Sequence, residues 1–84
     1  MEKKDPVTLK QDEMRGLEAT YRSEPNKEPF PVWKFNMPPN EKSEGLNEGD
    51  EVIYNGNFFK VYIKHDRRPP LVSERVIDFW LVRA

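Results

Sequence analysis

Apolar residues in the second half of the chain alternate with polar ones in two runs that flank the pair Asn55-Gly56. Asn-Gly readily adopts positive φ at both central positions of a type I′ turn, whose twist matches that of paired strands. The pattern therefore predicts a β-hairpin with arms at Glu51–Tyr54 and residues 57–64. The opposed pairs are then Tyr54 and Asn57, Ile53 and Phe58, Val52 and Phe59, and Glu51 and Lys60, the last a pair of opposite charges.

Alternation also predicts which side of each arm faces the core. In the second arm, Phe59, Val61 and Ile63 share one face and form the expected core side, because the opposite face is mixed with lysines. The opposite face of this arm carries Phe58, Lys60, Tyr62 and Lys64.

Two further runs predict strands at residues 32–37 and Val76–Arg83, which are rich in β-branched and aromatic residues. The second run is apolar on both faces, which indicates a central or covered position. Since an isolated hairpin is marginally stable in water, these strands should share one core with it. The expected fold is mainly β: a small antiparallel sheet, curled or SH3-like, spanning residues 29–84.

Residues 1–28 are polar and charged, and they predict a separate N-terminal arm. Thr8 and Gln11 have the spacing of a capping box. Apolar residues then recur with approximately helical spacing, at Leu9, Met14, Leu17 and Tyr21. This pattern favours a helix over residues 9–21, and the alternative is a flexible tail that a partner orders.

Composition narrows the class of protein. The chain has 84 residues, enough for one small domain, and a formal net charge of −1. That balance argues against a dedicated nucleic-acid binder, which carries a basic excess. There is no cysteine, no signal-peptide pattern and no long apolar span, so synthesis in the cytoplasm and no membrane partner are expected.

Candidate catalytic groups are few. His65, Asp66, Glu74 and Asp78 could serve acid–base or metal chemistry, but their spacing does not gather them on one helix or strand. Ser43 and Ser73 lie in unrelated predicted loops, so no nucleophile–base arrangement is indicated. We therefore expect a protein that is not an enzyme, with no metal and no cofactor.

The predicted sheet carries more candidates for binding than for catalysis. Three aromatic residues, Phe58, Tyr62 and Trp80, are candidates for apolar contact with a partner. Basic residues beside them would orient that partner: Lys60, Lys64 and Arg67. With His65 and Arg68, the same basic residues are also the candidate patch for single-stranded nucleic acid, although acidic neighbours neutralise much of its charge.

Residues 49–80 resemble the small chitin-binding modules that are appended to bacterial chitinases, and related modules of phage tail proteins. The residues that carry the resemblance are Gly49-Asp50, Val52, Tyr54-Asn55-Gly56, Phe59-Lys60-Val61-Tyr62-Ile63, Pro69-Pro70 and Trp80. The resemblance implies that the Gly-Asp segment shapes the hairpin. It also implies that two adjacent aromatic positions on the following strand contact the sugar; here they hold Tyr62 and Ile63.

These observations predict a non-enzymatic binding module that recognises a protein partner through an aromatic sheet face. A phage-encoded accessory or virion-associated protein is the biological setting that the resemblance suggests. The alternatives are carbohydrate recognition through Tyr62 and Trp80, and weak binding of single-stranded nucleic acid. An exposed sheet edge also leaves a homo-oligomer open.

Overall fold

The computed structural model describes residues 5–67 and 75–84, which form one six-stranded mixed sheet with two short helical elements. The mainly β class predicted from the sequence is confirmed. The strands are β1 (Val7–Leu9), β2 (Arg15–Arg22), β3 (Phe30–Met37), β4 (Glu51–Tyr54), β5 (Asn57–Arg67) and β6 (Val76–Arg83). A 3-10 turn (Gln11–Glu13) lies between β1 and β2, and a helix, α1 (Glu41–Gly45), lies between β3 and β4.

The hairpin of β4 and β5 has the predicted turn and register. Asn55 and Gly56 have φ values of 52° and 78°, as a type I′ turn requires. The four opposed pairs are the predicted ones, from Tyr54 with Asn57 to Glu51 with Lys60. The second arm continues to Arg67, three residues beyond the predicted end.

Strand β6 occupies a central position, as its two apolar faces predicted. The order of strands in the sheet is β1-β4-β5-β6-β3-β2. Neighbouring strands are antiparallel except for β1, which adds to β4 in parallel. The sheet is therefore mixed rather than purely antiparallel.

The helix predicted over residues 9–21 is wrong. Strand β2 occupies most of this range and pairs with β3, so segments from the N-terminal part belong to the sheet. Gly16 has a φ of 64°, a left-handed value that no right-handed helix accommodates. Leu17, Ala19 and Tyr21 alternate with polar residues, as in a strand. The pairing of β2 with β3 decides between this strand and the predicted helix.

The sheet is strongly curled. Strands β1 and β2 are its opposite edges, yet only residues 10–14 join them. In a flat six-stranded sheet the edge strands would lie about 24 Å apart. The connection spans at most about 20 Å when fully extended, and its 3-10 turn shortens that reach. The two edges must therefore bend toward one another, which agrees with the curled sheet expected from the sequence.

The concave side of the curl, called the inner face below, holds the hydrophobic core. Phe35 and Phe79 stack there with ring centroids 5.4 Å apart, and Trp33 meets Phe59 edge-on at 5.0 Å. The fully buried Leu46 joins them from the segment after α1. The other buried members of this cluster are Leu9, Met14, Met37, Val52, Val61, Ile77 and Leu81.

Helix α1 is short but firmly capped. The Asn40 side chain accepts a hydrogen bond from the Ser43 amide at 2.8 Å, and the Ser43 hydroxyl accepts one from the Asn40 amide at 2.8 Å. Ser43 also donates its hydroxyl to the Pro38 carbonyl at 2.8 Å and is fully buried. This capping box anchors the segment that the sequence predicted only as a polar connector.

Candidate functional site

The candidate site lies on the convex side of the sheet, called the outer face below. Side chains alternate along each strand, so the neighbours of core residues point to this side. Its basic members include Lys34 and Lys60. Its apolar members are Phe30 on β3, Ile53 on β4, Phe58, Tyr62 and Ile63 on β5, and Trp80 and Val82 on β6, whereas Val32 of β3 points to the same side but is buried.

A β-bulge in β5 decides which of the predicted residues share the outer face. Val61 pairs with Leu81 and Ile63 pairs with Trp80, so Tyr62 is an extra residue on this strand. Beyond the bulge the alternation is inverted. Ile63 therefore lies beside Trp80 on the outer face, and its predicted place in the core is wrong.

The same bulge moves Lys64 to the inner side, where it pairs with Phe79. The Lys64 ammonium donates a hydrogen bond to the Glu44 carbonyl at 3.2 Å, and its amide donates one to Glu48 Oε2 at 3.1 Å. Lys64 is thus separated from Phe58, Lys60 and Tyr62, and its predicted position on their face is wrong.

Phe58 is the most exposed apolar residue of the outer face. Its side chain is 54% exposed, although burying a phenylalanine is favourable by roughly 1.5–3 kcal/mol. Ile53 lies opposite it across the hairpin, and exposed Lys60 follows on the same side of the strand. Apolar groups and an oppositely charged pair, Lys60 with Glu51, are therefore adjacent at this end of the sheet.

Tyr62 is held by three residues of β2, β3 and the turn between them. Its hydroxyl donates a hydrogen bond to the Glu24 carboxylate, and its ring meets Phe30 edge-on at 5.6 Å. The Arg22 guanidinium lies 5.8 Å from the ring centroid. The hydrogen bond to Glu24 is the main cause that raises the pKa of the Tyr62 hydroxyl, because ionisation would place two negative charges together.

Trp80 is half-buried in the middle of the outer face. The Lys34 ammonium lies 5.3 Å from its ring centroid, a cation–π distance. Ile63 and Lys34 are its cross-strand neighbours on the two sides. Trp80 is therefore a partly covered element of this surface, with Lys34 above its ring.

Arg67 lies at the far end of the outer face and neutralises a buried carboxylate. Its Nε lies 2.6 Å from Asp78 Oδ2, and Asp78 is 5% exposed. His65 is directly opposite Asp78, with Nδ1 at 4.0 Å from Oδ2. The structure thus brings together two of the predicted acid–base residues, His65 and Asp78. Asp66 instead forms an ion pair with Arg75.

The remaining candidates add no catalytic arrangement. Ser43 is buried in the cap of α1, and Ser73, Glu74 and Arg68 lie outside the described residues. Within residues 5–67 and 75–84, no group of three or more His, Cys, Asp or Glu side chains could hold a metal ion. Over the same ranges, no helix has both the length and the apolar character needed to cross a membrane.

Four residues that shape this face were missed in the sequence: Arg22, Glu24, Phe30 and Lys34. Arg22 and Glu24 belong to the segment that was expected to be a separate arm. The alternation of residues 17–22 is the signal that indicates a strand there, and a strand would have brought them to the sheet.

Comparison with protein-family models, with curated proteins and with solved structures finds no match for this chain. The resemblance to chitin-binding modules therefore stays a prediction.

Proposed function

We propose that this chain is a non-enzymatic binding module that recognises a protein partner through the outer face of its sheet. The observation that carries the proposal is the exposure of Phe58 next to Ile53 and Lys60. Large aromatic side chains that stay exposed beside a polar rim are typical of interaction surfaces.

The partner would contact the end of the face around Phe58 first. Phe58 supplies apolar area at low entropic cost, and Lys60 with Glu51 opposite it supplies charged groups at the rim that orient the partner. Trp80 and Ile63 extend the apolar area along the sheet. Tyr62 and Arg67 act mainly as supports, because Glu24 and Asp78 engage their polar groups.

The contacts of the two central rings favour a protein partner over a sugar. A sugar stacks on an open ring face, whereas Arg22 lies over Tyr62 and Lys34 over Trp80. Nucleic-acid binding is also less favoured, because Lys64 lies on the inner side and Arg67 is paired with Asp78. A protein surface needs neither an open ring face nor a continuous cationic track.

The test is affinity capture from the native host, followed by mass spectrometry, with three versions of the full chain. The wild type is compared with Phe58→Ser/Lys60→Glu, and Lys27→Glu is the control. Lys27 is an exposed residue of the turn between β2 and β3, away from Phe58, and its replacement makes the same charge change as Lys60→Glu. We expect a protein that the wild type and Lys27→Glu retain and that the double variant loses.

Capture that is equal for all three versions would overturn the assignment to the outer face. Fluorescence of the two tryptophans, titrated with chitin oligosaccharides, tests the carbohydrate alternative separately. A response there, without a captured protein, would favour sugar binding over the proposal.

A further inference from the structure

Strand β2 is a long, open edge of the sheet. It is the last strand in the order β1-β4-β5-β6-β3-β2, and it is eight residues long. The opposite edge, β1, has three residues. An edge strand presents unpaired amide and carbonyl groups, which makes a long one a template for pairing with another strand.

The C-terminal part of this edge lacks the usual features that prevent strand addition. Natural edges are protected by proline, lysine or bulges. In β2 the bulge lies between Arg15 and Glu18, whereas residues 18–22 form a regular ladder with β3. These five residues, Glu-Ala-Thr-Tyr-Arg, contain neither proline nor lysine. Tyr21, at 73% exposure, stands on this regular part.

Residues 18–22 are complementary to themselves when two copies run antiparallel. When two identical strands pair antiparallel, the two-fold axis runs perpendicular to the sheet and passes between one residue and its own copy. Opposed residues then lie on the same face of the sheet. With the axis at Thr20, Glu18 opposes Arg22 of the partner subunit, and Ala19 opposes Tyr21 of the partner subunit. Each of these pairs occurs twice, and the two Thr20 residues face one another.

Neighbouring registers lack this match. An axis at Glu18 would place two glutamates directly opposite, which is unfavourable. An axis at Ala19 would oppose Glu18 to Thr20 and Arg22 to Gly16, so no charge is paired. The register at Thr20 is therefore preferred by charge, and it also avoids the bulge.

Arg22 is partly exposed although its guanidinium lies 5.8 Å from the Tyr62 ring centroid of its own chain. Its Nε lies 3.9 Å from Glu24 Oε1, beyond hydrogen-bond distance, and this buried nitrogen has no hydrogen-bond partner in the described part of the chain. Its side chain is nevertheless 41% exposed. The exposed part of this side chain leaves room for a further ion pair with a carboxylate of another strand.

We propose that the chain forms a homodimer by antiparallel pairing of β2 with β2 of a second copy, with the two-fold axis at Thr20. The sheets of the two subunits then become continuous. Tyr21 of each subunit covers Ala19 of the other on the inner side. Two Glu18–Arg22 ion pairs bridge the interface on the outer side.

Charge reversal with complementation tests this register. The variants Glu18→Arg and Arg22→Glu are each studied alone and as an equimolar mixture, by sedimentation velocity over a range of concentrations. Each variant alone opposes like charges twice, so we expect its dimer to dissociate at least about tenfold more readily than that of the wild type. The mixture restores both attractive pairs, so we expect a heterodimer.

Three results would overturn the proposal: a wild type that stays monomeric at every concentration, single variants that dimerise as the wild type does, or a mixture that stays monomeric. Circular dichroism and thermal unfolding show whether each variant remains folded. Tyr21→Phe and Tyr21→Ala form a second pair that leaves the charges intact. We expect Tyr21→Phe to dimerise and Tyr21→Ala to dimerise several-fold more weakly, and equal dimerisation of the two would contradict the predicted cover of Ala19.

Discussion

The Lys42 ammonium lies 2.8 Å from Glu13 Oε2, and this contact ties helix α1 to the connection between the two edge strands. Lys42 also donates a hydrogen bond to the Thr8 carbonyl at 3.0 Å, and Glu13 accepts a second one from the Lys10 amide. One ion pair thus connects helix α1 to the segment that joins β1 and β2.

The pKa of Glu13 leads to the first prediction. The hydrogen bond from Lys42 is the main cause that lowers this pKa from the ordinary carboxyl value of 4.5. A carboxyl whose pKa is lowered by folding stabilises the protein above its unfolded pKa, and this stabilisation is lost as the pH falls through the lowered value. We expect Glu13→Gln to reduce the free energy of unfolding by up to about 1 kcal/mol at neutral pH, since the pair is partly exposed.

Denaturant unfolding at about pH 7 and at several values below about pH 4.5 checks this prediction. The difference between wild type and Glu13→Gln should shrink toward acid pH. Glu28→Gln, which alters an exposed carboxyl in the β2–β3 turn, is the control and should show little difference. A Glu13→Gln effect that grows toward acid pH would contradict the role of the ion pair.

Ser43 provides the second prediction, because its hydroxyl satisfies two backbone groups in a buried place. Ser43→Ala leaves the Asn40 amide and the Pro38 carbonyl without this partner. We expect a loss of about 1–3 kcal/mol in the free energy of unfolding. Urea unfolding measures it, and exposed Ser23→Ala is the matched control. Equal stability of the two variants would show that the cap of α1 contributes little.

Gly16 distinguishes a strand from a helix at the N-terminal part of the chain. In a helix, Gly16→Ala would stabilise by about 1 kcal/mol. At a φ of 64° the same change should destabilise by about 1–2 kcal/mol, and its Cβ would lie 3.4 Å from Asn36 Nδ2. Thermal unfolding decides the sign. Gly45→Ala is the control, since nothing lies within 4 Å of its added Cβ and its φ is ordinary.

Tyr62 and Glu24 give a prediction at alkaline pH. A tyrosine whose pKa is raised by folding contributes stability that is present below about pH 10 and is lost as the pH rises through the raised value. NMR titration of the ring carbons should therefore show Tyr62 ionising above the ordinary phenol range. Glu24→Gln should lower the pKa of Tyr62, because the hydrogen bond to a carboxylate is the main cause of the shift. An unchanged Tyr62 pKa in Glu24→Gln would show that this hydrogen bond is not made in solution.

The hairpin was predictable because its determinants are local. Asn55 and Gly56 specify the turn, and the turn specifies the register of four residue pairs. The strand Val76–Arg83 was predicted with its observed ends, since its apolar run is short and β-branched. Such elements depend little on the rest of the chain.

The N-terminal strands and the bulge were not predictable in the same way. Leu17 and Tyr21 satisfy a helical stripe and a strand alternation equally, and only pairing with β3 selects the strand. The bulge at Tyr62 depends on how β5 lies against β6, a long-range relationship without a local signal. The sequence therefore named Phe58, Tyr62 and Trp80 as candidates but misplaced Lys64 and missed the contacts of Arg22 and Lys34.

The most direct test of the proposed binding face is NMR mapping of the labelled chain with the captured partner protein added in steps. Amide signals of Phe58, Lys60 and Ile63, together with the indole N–H of Trp80, should shift or broaden. Signals of the inner face, such as those of Phe35 and Phe79, should change little. Changes that are confined to β2, or spread over the inner face while Phe58 and Lys60 stay unaffected, would contradict binding through the outer face.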